Sequence, residues 1–249
     1  MIRNGSVWFS SARHFNDPFD TAITHSTDRL YKPVADEWAR RVVARECPSL
    51  SAKDTKKMAD ELLAELRQNP SLFEKRKDEI TNSQYDKFGM CSFSAVKDNL
   101  LLWAHYADRH RGTCIGFDTK RIIDYSDRVI HDRKELLDLR PVRYQNDYPK
   151  HDLFTTNDME DISDIEDLIY TKAADWAYEM EFRLVYWGRK YFAVELGVQA
   201  ISEVILGCRV SLEHRDKVIC AYSSLSEPPK VFQTKKDKDS FRLQLDRLI

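Results

Sequence analysis

The stretch Asn99–Asp118, NLLLWAHYADRHRGTCIGFD, decides the fold, because a helix, its stop signal and a strand follow one another within it. Leu100, Trp103, Ala104 and Ala107 recur at helical spacing, and Asp98 or Asn99 is placed to cap the start. Gly112 follows the basic run Arg109-His110-Arg111, where a left-handed C-terminal cap is expected. Thr113–Phe117 then reads as a buried strand, with Cys114, Ile115 and Phe117 inward and Gly116 permitting a close backbone approach. Helix and strand in such short succession imply an α+β fold.

Working toward the N-terminus, Phe88–Ser94 (FGMCSFS) has strand character and places Ser92 and Ser94 on one face. Residues 33–80 are highly charged and helical, with breaks at Pro48–Ser51 and Asn69-Pro70-Ser71, so three helices are expected. Val34, Trp38, Val42 and Val43 form one apolar stripe, Met58, Leu62 and Leu66 a second, and Leu72 leads the third. We read this segment as a helical insertion in a single domain spanning 1–249, its Lys and Glu residues forming a solvated face. Val7–Ser10 is a strand. It leads into Phe15-Asn16-Asp17-Pro18-Phe19-Asp20, a turn whose proline and Asx groups fix the backbone and can hold carboxylates in place.

Toward the C-terminus, Lys120–Tyr125 reads as a short helix and Leu139–Gln145 as an edge strand, since Pro141 lacks an amide donor. Asp158–Asp167 is an acidic, solvent-facing loop, and Ile169–Ala177 reads as a helix. From Tyr178 to Tyr186 a period of two takes over, putting Glu179, Glu181, Arg183 and Val185 opposite Met180, Phe182, Leu184 and Tyr186. Tyr191–Glu195 and Ile201–Leu206 are strands, Ser211 caps a helix over Leu212–Tyr222, and Val231–Gln233 and Phe241–Leu245 are terminal strands. The strands near residues 7, 90, 115, 142, 184, 193 and 204 are expected to form one mixed sheet.

Lysine plus arginine number 39 against 41 acidic residues, a net charge of -2, so bulk electrostatics demand neither a nucleic acid nor an anionic membrane. The five cysteines are scattered without a Cys-x-x-Cys pair, which disfavours a zinc knuckle or a secreted disulfide framework and suits a cytoplasmic protein. No segment approaches the roughly 20 apolar residues of a membrane helix.

Several motifs occur in a recognisable order: NDPFD at 16–20, Cys91-Ser-Phe-Ser94, Asn99-x-Leu-x-Trp-x-His-Tyr106, Arg109–Asp118, and Lys172 with Trp176, Tyr178, Glu179, Glu181 and Arg183. This ordered set, covering about residues 5–210, resembles the bacterial and phage domain-of-unknown-function 2971 family. Members of that family open with a Tyr-rich, Arg-containing strand ahead of the equivalent of Val7, whereas this chain starts almost directly at Gly5. The family's association with mobile and defence-type loci implies a toxin-like effector. Ser92-x-Ser94 followed by Glu179-x-Glu181 further resembles the ADP-ribosyltransferase superfamily, which implies such a fold and NAD consumed as substrate.

In that reading Glu181 bonds the ribose hydroxyl and stabilises the ribosyl cation left when nicotinamide departs. Glu179 orients or deprotonates the acceptor, a nucleic acid or a protein. His105 assists catalysis, and Ser92, Ser94, Tyr106, Asn16, Asp17, Arg183 and Trp103 hold the nucleotide. NAD glycohydrolysis is the same chemistry with water as acceptor.

A non-catalytic nucleotide-sensing or interaction module is a second reading. Trp103, Tyr106 and His110 share a helical stripe that either stacks on a base or packs the core. In this case Arg183 pairs with Glu179 or Glu181, Asp17 pairs with Arg13 or Arg109, and the charges are structural. A third is a metal-dependent nucleotide or nucleic-acid hydrolase using His14, Asp17, Asp20, His105, His110 and Glu181, with magnesium on Asp17 and Asp20. His105 and His110 are five apart, about 140° around a helix, which is poor geometry for one metal. Cys91 and Cys114 read as apolar fillers. The single-site reading expects the NDPFD loop, Ser92 and Ser94, His105–His110 and Glu179–Arg183 to converge.

Overall fold

The computed structural model describes residues 4–22, 25–26, 28–133, 136–149, 151–154 and 163–249. In chain order the first elements are β1 (Ser6–Phe9), β2 (His25–Ser26), α1 (Pro33–Glu46), α2 (Ala52–Gln68), α3 (Pro70–Tyr85), β3 (Phe88–Ser94) and α4 (Leu100–Tyr106). Next come β4 (Thr113–Phe117), α5 (Thr119–Arg133), β5 (Leu137–Pro141), β6 (Arg143–Gln145), β7 (His151–Asp152), α6 (Ser163–Ile169) and β8 (Thr171–Ala173). The last are β9 (Glu181–Trp187), β10 (Phe192–Glu195), β11 (Ile201–Leu206), α7 (Leu212–Ser223), β12 (Lys230–Lys236) and β13 (Leu243–Arg247). The α+β class stands. The chain divides into two compact units, the first of Met1–His14, Phe88–Val142 and Ala174–Ile249, the second of Phe15–Lys87 and Arg143–Ala173. The helices expected at 33–80 lie in the second unit.

The first unit does not form one mixed sheet. Its strands make a four-stranded sheet in the order β13-β12-β11-β4, a three-stranded sheet β3-β9-β5, and a two-stranded ribbon β1-β10 tied to β3 by a bridge between Ser10 and Met90. The division follows the apolar side chains, which collect in separate clusters. Val7, Phe9, Leu184, Tyr186 and Phe192 form one, Val204, Leu206, Val218, Tyr222 and Val231 another, and Trp103, Ile205 and Leu243 a third. β11 and β12 are parallel and joined through α7, whose start is capped by Ser211 accepting from the His214 amide at 3.2 Å. α5 is longer than the expected Lys120–Tyr125, with Ile122, Ser126 and Val129 buried at helical spacing.

α4 starts as anticipated, Asn99 Oδ1 accepting from the Leu101 and Leu102 amides at 2.9 and 3.3 Å. It ends at Tyr106, well before Gly112. The left-handed backbone falls on Asp108, Arg109 and His110, with φ of 44, 56 and 68°. Gly112 has a different task, since a Cβ there would lie 3.0 Å from the backbone of Ala107, whose carbonyl accepts the Gly112 amide at 2.8 Å.

In the second unit α1, α2 and α3 appear with the breaks at the anticipated prolines, and Trp38, Val42, Val43, Ala59, Leu63, Leu66, Phe73 and Phe154 form its core. Of the expected α2 stripe Leu66 is buried and Leu62 packs partly buried against the core, but Met58 is exposed and Ala59 and Leu63 take the buried positions beside them. Two expectations fail at the chain's crossings between units. The single strand over Leu139–Gln145 is two, because the Val142 amide donates to Glu181 and the Arg143 amide to Tyr170. The helix over Ile169–Ala177 is instead the end of α6, then β8 in parallel with β6, then a 3-10 segment over Ala174–Glu179. Of the acidic stretch, Asp158–Ile162 lies outside the described residues, and Ser163–Asp167 is helical. Among the described residues no helix is long and apolar enough to cross a membrane.

Candidate functional site

β9 is the central strand of its sheet, and both its faces are covered, every residue from Glu181 to Trp187 except the half-buried Phe182 being buried. That decides the state of the Glu-x-Glu-x-Arg motif. Glu179, Glu181 and Arg183 are 4, 4 and 0% exposed, so the charged face read from the alternation lies inside the protein. A buried charge requires a partner. Arg183 Nε donates to Glu181 Oε1 at 2.8 Å and its Nη2 to Glu181 Oε2 at 3.2 Å, a two-pronged pair that occupies both carboxylate oxygens.

Glu179 is placed differently. It precedes β9 in the 3-10 segment, and Met180, with φ of 44°, breaks the alternation between the two glutamates. The two carboxylates therefore do not share an extended face as the period of two implied. Tyr106 Oη donates to Glu179 Oε1 at 2.8 Å, and Ser94 Oγ donates to the Glu179 backbone carbonyl at 2.6 Å. Asn99 joins the same framework, its Nδ2 donating to the Tyr178 carbonyl at 3.2 Å while its Oδ1 caps α4. The Ala95 amide closes the junction by donating to the Met180 carbonyl at 3.0 Å.

Beside this carboxylate stand three rings. His105 meets Trp176 edge-on at 6.5 Å between centroids, and Trp176 lies 5.9 Å from Tyr178. His105 and Tyr106 are exposed, the latter at 54%, while Trp176 and Tyr178 are half-buried. Ser92 and Ser94 are exposed on β3, opposite Arg183 and Glu181 in the antiparallel register. A buried carboxylate held by a phenol, next to solvent-reaching aromatic rings and hydroxyls, is equipped to bond a sugar diol and stack a planar ring.

Ser94, Tyr106, Glu179 and, through Trp176, His105 are thus brought together, with the Ser92 and Glu181–Arg183 register pairs alongside. Trp103 is not part of this face. It is a core residue, 3% exposed, whose Nε1 donates to the Lys97 carbonyl at 2.8 Å, and His110 stacks on it at 6.4 Å. Arg183, expected to hold a nucleotide, holds Glu181 instead. Asn16 and Asp17 belong to the second unit, where Asp17 Oδ1 accepts the Phe19 amide at 2.9 Å in an Asx turn.

Sequence reading had Asp20 and Lys172 in hand without linking them. Lys172 Nζ lies 3.2 Å from Asp20 Oδ2, with both side chains about as buried as Glu181 (6 and 5% exposed), and Thr21 Oγ1 donates to Asp20 Oδ1 at 3.1 Å. Lysine and aspartate seldom lie this deep unless paired, which was the available signal. Lys172, Thr21, Phe19, Tyr148 and Leu168 line a cavity of about 280 Å³ in this unit. Burial, with Asp17 and Tyr85 nearby, pushes the Tyr148 phenol up. Among the described residues no three His, Cys, Asp or Glu side chains gather as a metal site would require. Cys91 and Cys114 pack against apolar clusters, and burial pushes the Cys91 thiol up to about 12.

The resemblance noted in the sequence is found independently over α4 to β9: a family model described as "Protein of unknown function (DUF2971)" matches residues 102–184. That span contains His105, Tyr106, Lys172, Glu179 and Glu181. No curated protein and no solved structure matches the chain.

Proposed function

We propose that the first unit binds an NAD-type nucleotide and acts on its N-glycosidic bond, by transfer to an acceptor or by hydrolysis, with Glu179 as the acting carboxylate. One observation carries this reading. Glu179 lies ahead of β9 with the exposed Tyr106 on its Oε1, whereas Glu181 lies within the buried strand with both oxygens engaged by Arg183. A carboxylate neutralised by a bidentate guanidinium offers little field to a developing cation. We therefore move the cation-stabilising role from Glu181 to Glu179, and give Glu181 and Arg183 the role of fixing β9 beneath it. The rings of Trp176 and His105 suit the nicotinamide or adenine ring. Ser92 and Ser94 suit the ribose hydroxyls. An effector or toxin-like role, as the family resemblance implies, is consistent with consumption of NAD.

A second reading, nucleotide binding without turnover, is favoured by the same buried pair, because it removes one of the two glutamates the superfamily pattern uses. The test is incubation of the purified chain with NAD, with and without RNA, DNA and cell extract, following nicotinamide release alongside calorimetric binding. Release lost in Glu179→Gln and kept in Glu181→Leu/Arg183→Met, which removes both members of the buried pair, supports the assignment. Release kept in Glu179→Gln and lost in that double variant returns the role to Glu181. Binding without release supports the sensing module, and neither binding nor release sinks both readings.

A further inference from the structure

One end of the four-stranded sheet gathers cations without matching acids. β11 and β12 run parallel and β4 antiparallel to them, so Arg109–Arg111 ahead of β4, Arg209 after β11 and Lys236 at the close of β12 lie at the same end. Their electrostatic reach agrees with this topology. Arg209 and Lys236 both act on His110, and Asp108 is acted on by Arg111, Arg109 and Arg209. Arg109, Arg111, Arg209 and Lys236 against Asp108 and Asp237 give 4 minus 2, a local charge of +2, in a chain whose net charge is -2.

Asp108 is committed to one cation. Asp108 accepts from Arg111 Nε at 3.1 Å and Nη2 at 2.9 Å. The nearest acid in sequence to Lys236 is Asp237, which accepts the Asp239 and Ser240 amides at 2.8 and 2.9 Å and the Gln244 side-chain amide at 2.6 Å. Arg109, Arg209 and Lys236, all exposed, have no ion pair among the described residues. Elsewhere on the surface opposite charges sit together, as in Lys97 with Glu203, Arg143 with Asp167 and Lys217 with Glu213.

The backbone holds this arrangement at a conformational cost. Three consecutive non-glycine residues, 108–110, are left-handed, a state that L side chains resist. They are clamped: the His110 amide donates to Trp103 at 3.1 Å, its carbonyl accepts from Arg209 at 3.0 Å, and Gly207 passes so close that a Cβ would lie 2.1 Å from that carbonyl. The His110 ring is fixed against Trp103, and its Nδ1 is buried with no hydrogen-bond partner among the described residues. Neighbouring strands are spaced by about 4.8 Å, so three strand ends span about 10 Å, wider than one phosphate group.

We propose that this sheet end binds the phosphodiester backbone of a nucleic acid, with Arg109, Arg209 and Lys236 neutralising successive phosphates. The proposed contacts use none of the residues assigned to the Glu179 face, and the inference does not depend on the NAD reading. The experiment is fluorescence anisotropy of a labelled single-stranded oligonucleotide titrated with the full chain at several salt concentrations. Three phosphates neutralised on a single strand give a slope of log K against log salt of about -2, at about -0.7 per phosphate. Arg209→Ala/Lys236→Ala, both at exposed positions, is expected to weaken binding at least tenfold at low salt and to bring the slope to about -0.7. Lys53→Ala/Lys75→Ala, which removes the same charge from exposed positions of the second unit, is expected to leave affinity and slope unchanged. Equal loss in both double variants, absence of salt-dependent binding, or binding of inorganic phosphate without the oligonucleotide would overturn the proposal.

Discussion

Replacing Arg183 by methionine tests whether the Glu181–Arg183 pair is the structural element that its geometry implies. Arg183 is fully buried and donates to both oxygens of Glu181, itself 4% exposed, on the central strand of the β3-β9-β5 sheet. Taking away one partner leaves an uncompensated buried charge, which costs about 3–5 kcal/mol. Replacing both by apolar residues of similar volume removes the desolvation penalty with the attraction, and such exchanges are often neutral or stabilising by about 1–4 kcal/mol. Amide hydrogen exchange reads this locally, without requiring the two units to unfold together. At 1.4 kcal/mol per factor of ten, Arg183→Met should lower protection of the β9 amides by about two to three and a half orders of magnitude. Glu181→Leu/Arg183→Met should restore most of it. If Arg183→Met changes β9 protection by less than tenfold, or the double variant is as labile as the single, the pair is not a mutually compensated buried ion pair and the reassignment of Glu181 loses its basis.

Four further outcomes follow from the same physics. Lys172→Met strands Asp20 in the second unit and should destabilise it by about 3–5 kcal/mol, with Asp20→Leu added to recover much of the loss; hydrogen exchange of β8 and α6 reports it. Asn99→Ala removes the α4 cap and the link to Tyr178, at a cost of about 1–2 kcal/mol in denaturant unfolding followed by tryptophan emission. Because alkylation needs the thiolate and the Cys91 thiol titrates at about 12, mass-resolved alkylation of the native chain at pH 8 should label the exposed Cys220 first and Cys91 last. His110 is pushed below its ordinary 6.5 by burial and by Arg209 and Lys236, so the unfolded chain takes up the proton more readily than the folded one; this share of stability is present above pH 6.5 and is lost as pH falls through the lower folded value. His110→Gln should flatten that stretch of the stability profile, and an NMR titration of its ring protons should show a midpoint below 6.5.

What was legible in the sequence was whatever local pattern controls. Pro70 and the Ser51 and Asn69 caps divide the 33–85 segment into its three helices, and FGMCSFS and ISEVIL are strands over the residues their patterns indicate. The misreadings lie where long-range pairing overrode local preference. Thr171–Ala173 has helical neighbours, but its amides and carbonyls are satisfied by Arg143–Gln145, a partner nearly thirty residues earlier. Gly112 looks like a helix stop, but α4 has already ended because the chain must turn back for the Gly112 amide to reach Ala107. Alternation sorted Glu181 and Arg183 to one face correctly. It could not say that β5 and β3 flank β9 and that this face is covered.

That last point separates the two glutamates of the motif. Spacing treats Glu179 and Glu181 as equivalents two residues apart, yet a single left-handed residue, Met180, places one ahead of the strand and the other within it. The residue within the strand must be neutralised in place, because a buried strand offers it no water, and Arg183 at the next position on the same face is the nearest means. The residue ahead of the strand accepts from the Tyr106 phenol, and its backbone carbonyl accepts from Ser94. The guanidinium pair commits both oxygens of Glu181 to holding the strand. Glu179, ahead of the strand and bonded by the exposed Tyr106, is therefore the carboxylate of this motif to which we give the acting role.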